Sequence, residues 1–112
     1  MMTPEARVKK LVSLYLSDLE KELDKISMEL YKTMVVPAGY GKRNQLDYTL
    51  CIYGRFVALE TKAPGEWLTP LQRQTARNIV RSGGKVFIIS GIDGLNAFKN
   101  WVGKVEPRHS LC

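Results

Sequence analysis

Two stretches of alternating residues meet at one short turn, and their register decides which side chains share a face. Residues 46–52 (Leu46-Asp47-Tyr48-Thr49-Leu50-Cys51-Ile52) and 55–62 (Arg55-Phe56-Val57-Ala58-Leu59-Glu60-Thr61-Lys62) both read as strands. Between them, Tyr53-Gly54 predicts a two-residue hairpin turn, with the glycine free to take positive φ. A loop of that length pairs Ile52 with Arg55. Counting back antiparallel then sets Asp47 directly opposite Glu60. Residues so placed lie roughly 4.5–5.5 Å apart at Cβ, on one face. Two carboxylates that close repel unless a proton or a cation sits between them. Lys62, two residues beyond Glu60, projects from the same face. A hard divalent cation suits this group better than any other chemistry in the chain.

The alternation also separates a core face from a polar one. Leu46, Tyr48, Leu50, Ile52, Val57 and Leu59 share one side, the expected main core. Gln45, Asp47, Thr49, Cys51, Phe56, Ala58, Glu60 and Lys62 share the other, which becomes more polar away from the turn. Cys51 is expected to be a small buried thiol.

The rest of the chain supplies helices around this hairpin. Thr3-Pro4 is a helix start, a threonine N-cap followed by proline at the first helical position, with Glu5 in the first turn. Val8, Leu11, Val12, Tyr15, Leu19, Leu23, Ile26 and Leu30 recur at steps of three and four, one apolar stripe on a long helix that could break near Ser27. Thr33 to Val36 reads as a short strand ended by Pro37, followed by a loop carrying Tyr40, Lys42 and Arg43. After the hairpin, Ala63 to Leu68 reads as a linker. Thr69-Pro70 opens a second helix that runs to about Ser82, and Gly83-Gly84 stops it. Val86-Phe87-Ile88-Ile89 is a continuous apolar run, typical of a strand buried on both faces. Strand, helix, strand in that order implies a right-handed crossover and a strand parallel to the one ending at Lys62. A last helix is expected from Asp93 to about Val102. The fold class is therefore α/β: a small mixed sheet flanked by helices, a single domain over 1–103 with a polar tail over 104–112.

Composition excludes some roles. The chain has 112 residues, of which 45% are hydrophobic and 25% charged, so one soluble globular domain is expected. No apolar run approaches the ~20 residues of a membrane span. The first ten residues are charged and carry no apolar signal segment, so export is not expected. Two cysteines far apart, Cys51 and Cys112, suit a reducing cytoplasm. The single histidine, His109, lies in the tail and argues against histidine–metal and zinc chemistry. The net charge of +6 raises the odds of a polyanionic partner. Six of the eleven acids precede residue 30, so a footprint for a phosphate backbone belongs to the second half.

Chemistry follows from the hairpin's open end. Asp47, Glu60 and the backbone carbonyl of Thr61 are oxygen donors of the kind magnesium or manganese takes, with waters completing the shell. A metal held there makes hydroxide available near neutral pH and offsets charge on a phosphodiester. Lys62 can orient the attacking water. Glu5 could join from the first helix, although a glutamate at a helix start is often only a partner of the helix dipole. Gln72, in the first turn of the second helix, could hydrogen-bond a metal-bound water or a phosphate. Arg73, Arg77 and Arg81 fall on one helix face; a solvated face is the plain reading, a DNA backbone contact the functional one. Lys42 and Arg43, in the loop before Asp47, are similarly suited.

These residues together resemble the PD-(D/E)XK nuclease superfamily, and more closely its virus-type replication-repair nuclease (VRR-NUC) branch. The resemblance runs over about residues 3 to 100. It rests on the early Glu5, the Lys42-Arg43 loop before Asp47, the aliphatic strand into Glu60-Thr61-Lys62, then Ala63-Pro64-Gly65, Thr69-Pro70-Leu71-Gln72 and Gly83-Gly84-Lys85-Val86. Where the family usually has Gly-x-Pro-Asp, this chain has Asn44-Gln45-Leu46-Asp47 and keeps only the aspartate. The resemblance implies a restriction-endonuclease-like core and magnesium- or manganese-dependent cleavage of DNA, often at four-way junctions or flaps. Its carried-over site is Glu5, Asp47, Glu60, Lys62 and Gln72. It further implies a homodimer, a role in DNA repair, and a viral, phage or bacterial source. The alternatives are a non-catalytic nucleic-acid-binding module on the same fold, and a small interaction protein whose first helix is a dimer surface.

Overall fold

In a computed structural model of the chain, residues 2–34 and 45–106 are described. Three helices and four strands follow in the order α1 (Pro4–Asp24), β1 (Tyr31–Met34), β2 (Tyr48–Ile52), β3 (Arg55–Thr61), α2 (Pro70–Arg81), β4 (Lys85–Ile89) and α3 (Ile92–Lys104). The strands form one mixed sheet in the order β1-β2-β3-β4. The β1–β2 and β2–β3 pairs are antiparallel, and β3–β4 is parallel. The fold is thus α/β with a small mixed sheet, as the alternation and the strand–helix–strand order predict.

The central hairpin has the expected register: Ile52 pairs with Arg55, and the ladder runs to Tyr48 and Leu59. Its turn asks for more than a permissive glycine. Gly54 has φ 75° and Tyr53 has φ 54°, the two left-handed residues of a type I′ turn. The tyrosine accepts a conformation that costs a side chain about 1–2 kcal/mol, which the pairing on either side must offset.

One face of the sheet carries the core. Tyr48, Leu50, Ile52, Val57, Leu59 and Ile89 pack against Val8, Val12, Leu16, Leu19 and Leu23 of α1 and against Leu95, Phe98 and Val102 of α3. The buried stripe of α1 therefore includes Leu16, and Leu11 lies outside it, 43% exposed. The helix stops earlier than the periodicity would take it. Lys25 caps it, Ser27 takes φ 58°, and Ile26 is exposed. Ser13 Oγ and Tyr48 Oη lie 2.8 Å apart and pin α1 to β2. Lys32 of β1 pairs with Glu20 of α1.

The other face is thinly covered. Gln72 is the buried residue of α2, while Ile79 lies half-buried near Phe56. Two expectations change here. Cys51 is exposed: it points to this thinly covered face. The apolar run of β4 is not buried on both sides: Val86, Phe87 and Ile88 are half-buried and only Ile89 is enclosed. As the last strand of the sheet, β4 has a neighbour on one side only. Strand β1 begins at Tyr31, two residues ahead of the expected start, and Val35 to Asn44 lie outside the described residues. Helix α3 takes in Gly103 and Lys104, so the polar tail begins after Lys104, and Arg55 binds the carbonyl of Glu106. Residues 107–112 lie outside the described residues.

The corrected stripe makes a direct prediction. Leu16→Ala, at a fully enclosed position, costs about 2–5 kcal/mol of stability in urea unfolding. Leu11→Ala costs less than about 1 kcal/mol.

Candidate metal centre at the mouth of the hairpin

The ladder between β2 and β3 ends at Tyr48 and Leu59, and one step further Asp47 faces Glu60. There, side chains take over from main-chain pairing. The Asp47 N–H donates to Glu60 Oε1 at 2.9 Å. In return, Asp47 Oδ2 accepts from the Thr61 N–H at 2.9 Å and from Thr61 Oγ1 at 2.5 Å. Each carboxylate thus holds the backbone of the opposite strand. Asp47, Glu60, Thr61 and Gln72 are all buried, and Lys62 nearly so. Burying charge is costly without hydrogen bonds and counter-charge, and here both are supplied.

Among the described residues, two lysines bring counter-charge to the pair. Lys62 Nζ lies 3.6 Å from Glu60 Oε2. Lys9 Nζ, reaching over from α1, lies 3.6 Å from Asp47 Oδ1. Lys9 is a residue the sequence reading passed over. Its one signal was position: it follows Glu5 by four, on the same helix face.

Gln72 is fixed by the helix start that carries it. Thr69 Oγ1 accepts from the Gln72 N–H, and the Thr69 N–H donates to Gln72 Oε1, a complete capping box. With its oxygen held at 3.0 Å by that N–H, the amide turns its nitrogen outward, and Nε2 donates to Glu60 Oε2 at 2.8 Å. One of the two N–H groups of the amide therefore goes to a carboxylate of the site. The segment that brings α2 into place is short and shaped. The Glu66 N–H donates to Ala63 O at 3.0 Å, Gly65 takes φ 85°, and Leu68 is buried. Pro64-Gly65 are the central pair that a type II turn prefers.

Thr61 offers a third oxygen. The Lys62 N–H donates to Ile89 O, so the main chain at Lys62 faces β4. One residue earlier the main chain faces the other way, as the bond from the Thr61 N–H to Asp47 shows. The Thr61 carbonyl lies on that side too.

Asp47, Glu60, Thr61, Lys62 and Gln72 are thus brought together. Glu5 is not brought in as a third ligand: among the described residues no group of three or more histidines, cysteines or acids is placed to hold a metal. Arg73, Arg77 and Arg81 are exposed along α2. Lys42 and Arg43 lie outside the described residues. Leu46, at the position where the resembled family has proline, is buried. No helix among the described residues is long and apolar enough to cross a membrane.

Because Gln72 serves both the cap and Glu60, Gln72→Leu should cost about 1–3 kcal/mol in urea unfolding, more than a cap alone, by leaving a buried carboxylate short of a donor. No protein-family model, curated protein or solved structure matches this chain.

Proposed function

We propose that this chain is a metal-dependent DNA endonuclease of the virus-type replication-repair kind, built on a restriction-endonuclease-like core. It would hydrolyse phosphodiester bonds at branched DNA such as four-way junctions or flaps, and would act as a homodimer. The observation that carries the reading is the buried pair Asp47 and Glu60, side by side at the end of a hairpin with Lys62 against them. Buried ionisable groups are a costly way to stabilise a fold, and a cluster of them at a sheet end is a candidate functional site.

The donor set suits a hard cation. Two carboxylates and the Thr61 carbonyl are all oxygen, and magnesium or manganese commonly takes one or two carboxylates and leaves its remaining positions to water and phosphate. When bound, such an ion supplies Lewis acidity and activation of water. The protein's own residues do the rest. Gln72 holds Glu60 Oε2, and Thr61 holds Asp47 Oδ2, so the ligands are aimed before the substrate arrives. Lys62, with only 11% of its side chain exposed, is placed to orient the attacking water and to stabilise charge on the phosphoryl oxygens. Glu5 supports from α1, one turn before Lys9, rather than as a direct ligand.

The helix that carries Gln72 also carries Arg73, Arg77 and Arg81, so a cationic stripe starts beside the site and suits a phosphate backbone. Trp67, in the segment between Lys62 and Gln72, is 63% exposed and suits stacking on an unpaired base of the kind a branch point offers. A second reading draws on one fact: each carboxylate already accepts protein hydrogen bonds. The pair could then simply brace the hairpin of a non-catalytic nucleic-acid-binding module.

Cleavage assays separate the two. Plasmid, four-way junction, flap and single-stranded DNA are incubated with magnesium, manganese or a chelator. The nuclease reading expects cuts in branched DNA with either metal, none with chelator, and a rate at least about a hundredfold lower in Lys62→Ala, with DNA still bound. Binding without product under every condition leaves the module reading. Replacing Arg73, Arg77 and Arg81 together by alanine should flatten the slope of log affinity against log salt by about 2–3.

A further inference from the structure

The two carboxylates share a pattern, with one difference: Glu60 Oε2 also accepts from Gln72 Nε2 at 2.8 Å. One oxygen of each is tied to main chain, Asp47 Oδ2 to Thr61 and Glu60 Oε1 to Asp47. The other oxygen of each faces an ammonium at 3.6 Å. That distance is beyond a hydrogen bond, so the ammonium is held by charge and can leave without breaking a directed contact. The two lysines differ in freedom. Lys62 is enclosed at 11% exposure, whereas the Lys9 side chain is 39% exposed and extends from a helix on a flexible stem.

We propose that Lys9 is a built-in competitor for the cation site, occupying Asp47 Oδ1 in the metal-free protein and giving it up to a divalent ion. This rests on reading the Asp47–Glu60 pair as a cation site. An ammonium and a divalent ion near one oxygen repel, so binding displaces whichever lysine can reach water cheaply, and that is Lys9. A destination lies on its own helix. Glu5 sits four residues before it, the order in which a glutamate–lysine pair is favoured. Glu5 then acts by receiving Lys9. The competition protects two buried acids from their own repulsion while no metal is present, and it weakens metal binding by the protein alone.

The test is calorimetric titration of manganese, without DNA, into the unaltered protein and into Lys9→Met, Lys9→Arg and Asp47→Asn. Methionine is a good helix former, and position 9 is partly exposed, so the first variant keeps its fold. The expected result is manganese binding roughly threefold to tenfold tighter in Lys9→Met, near-unaltered affinity in Lys9→Arg, which keeps the charge, and loss of binding in Asp47→Asn. Equal or weaker binding in Lys9→Met, with the unaltered protein still taking up manganese, overturns the role of Lys9 and leaves the cation site standing. No uptake by any of the four proteins overturns the cation site itself, and the role of Lys9 with it.

Discussion

Where β2 and β3 part company, Asp47 and Glu60 exchange their main-chain pairing for a mutual side-chain brace. Glu60 receives the Asp47 N–H, and Asp47 receives the Thr61 N–H and hydroxyl. A hairpin mouth left open would fray, since its last N–H groups have no partner strand. Here acids close it. The brace then recruits what surrounds it: Gln72 fastens the start of α2, Lys62 lies against Glu60, and Lys9 draws α1 over Asp47. Two helices and two strands so converge on four side-chain oxygens.

The layers divide the labour unevenly. Helices α1 and α3 share the apolar face and bury nearly the whole core. Helix α2 buries only its first-turn glutamine, against the polar mouth. Stability therefore resides mostly on one side of the sheet and the candidate chemistry at the end of the other. That separation leaves α2 free to present arginines along most of its length.

Much of this was legible because local rules govern it. The two-residue turn sets register by counting alone, so Asp47 opposite Glu60 could be read directly, and the faces of the hairpin followed. Thr-Pro openings fixed the starts of α1 and α2. What escaped depended on tertiary context. Leu16 and Leu11 are equally apolar and one helix position decides between core and solvent, which periodicity alone resolves poorly. The half-covered state of β4 reflects its place at the sheet edge, and the exposure of Cys51 reflects how little covers the second face, which alternation does not tell. Lys9 is one of several lysines on α1, and its spacing from Glu5 is its one local mark; only the docking of the helix brings it to Asp47.

The amide of Gln72 is shared between two jobs that look unrelated. Its oxygen terminates a helix and its nitrogen steadies a buried acid. Because an amide cannot rotate one end without the other, the conformation of the chain at Thr69, an exposed residue with no chemistry of its own, is mechanically wired to the aim of Glu60. A change at position 69 therefore bears on an acid that it never touches, because the first turn of α2 and the acidic mouth share one side chain.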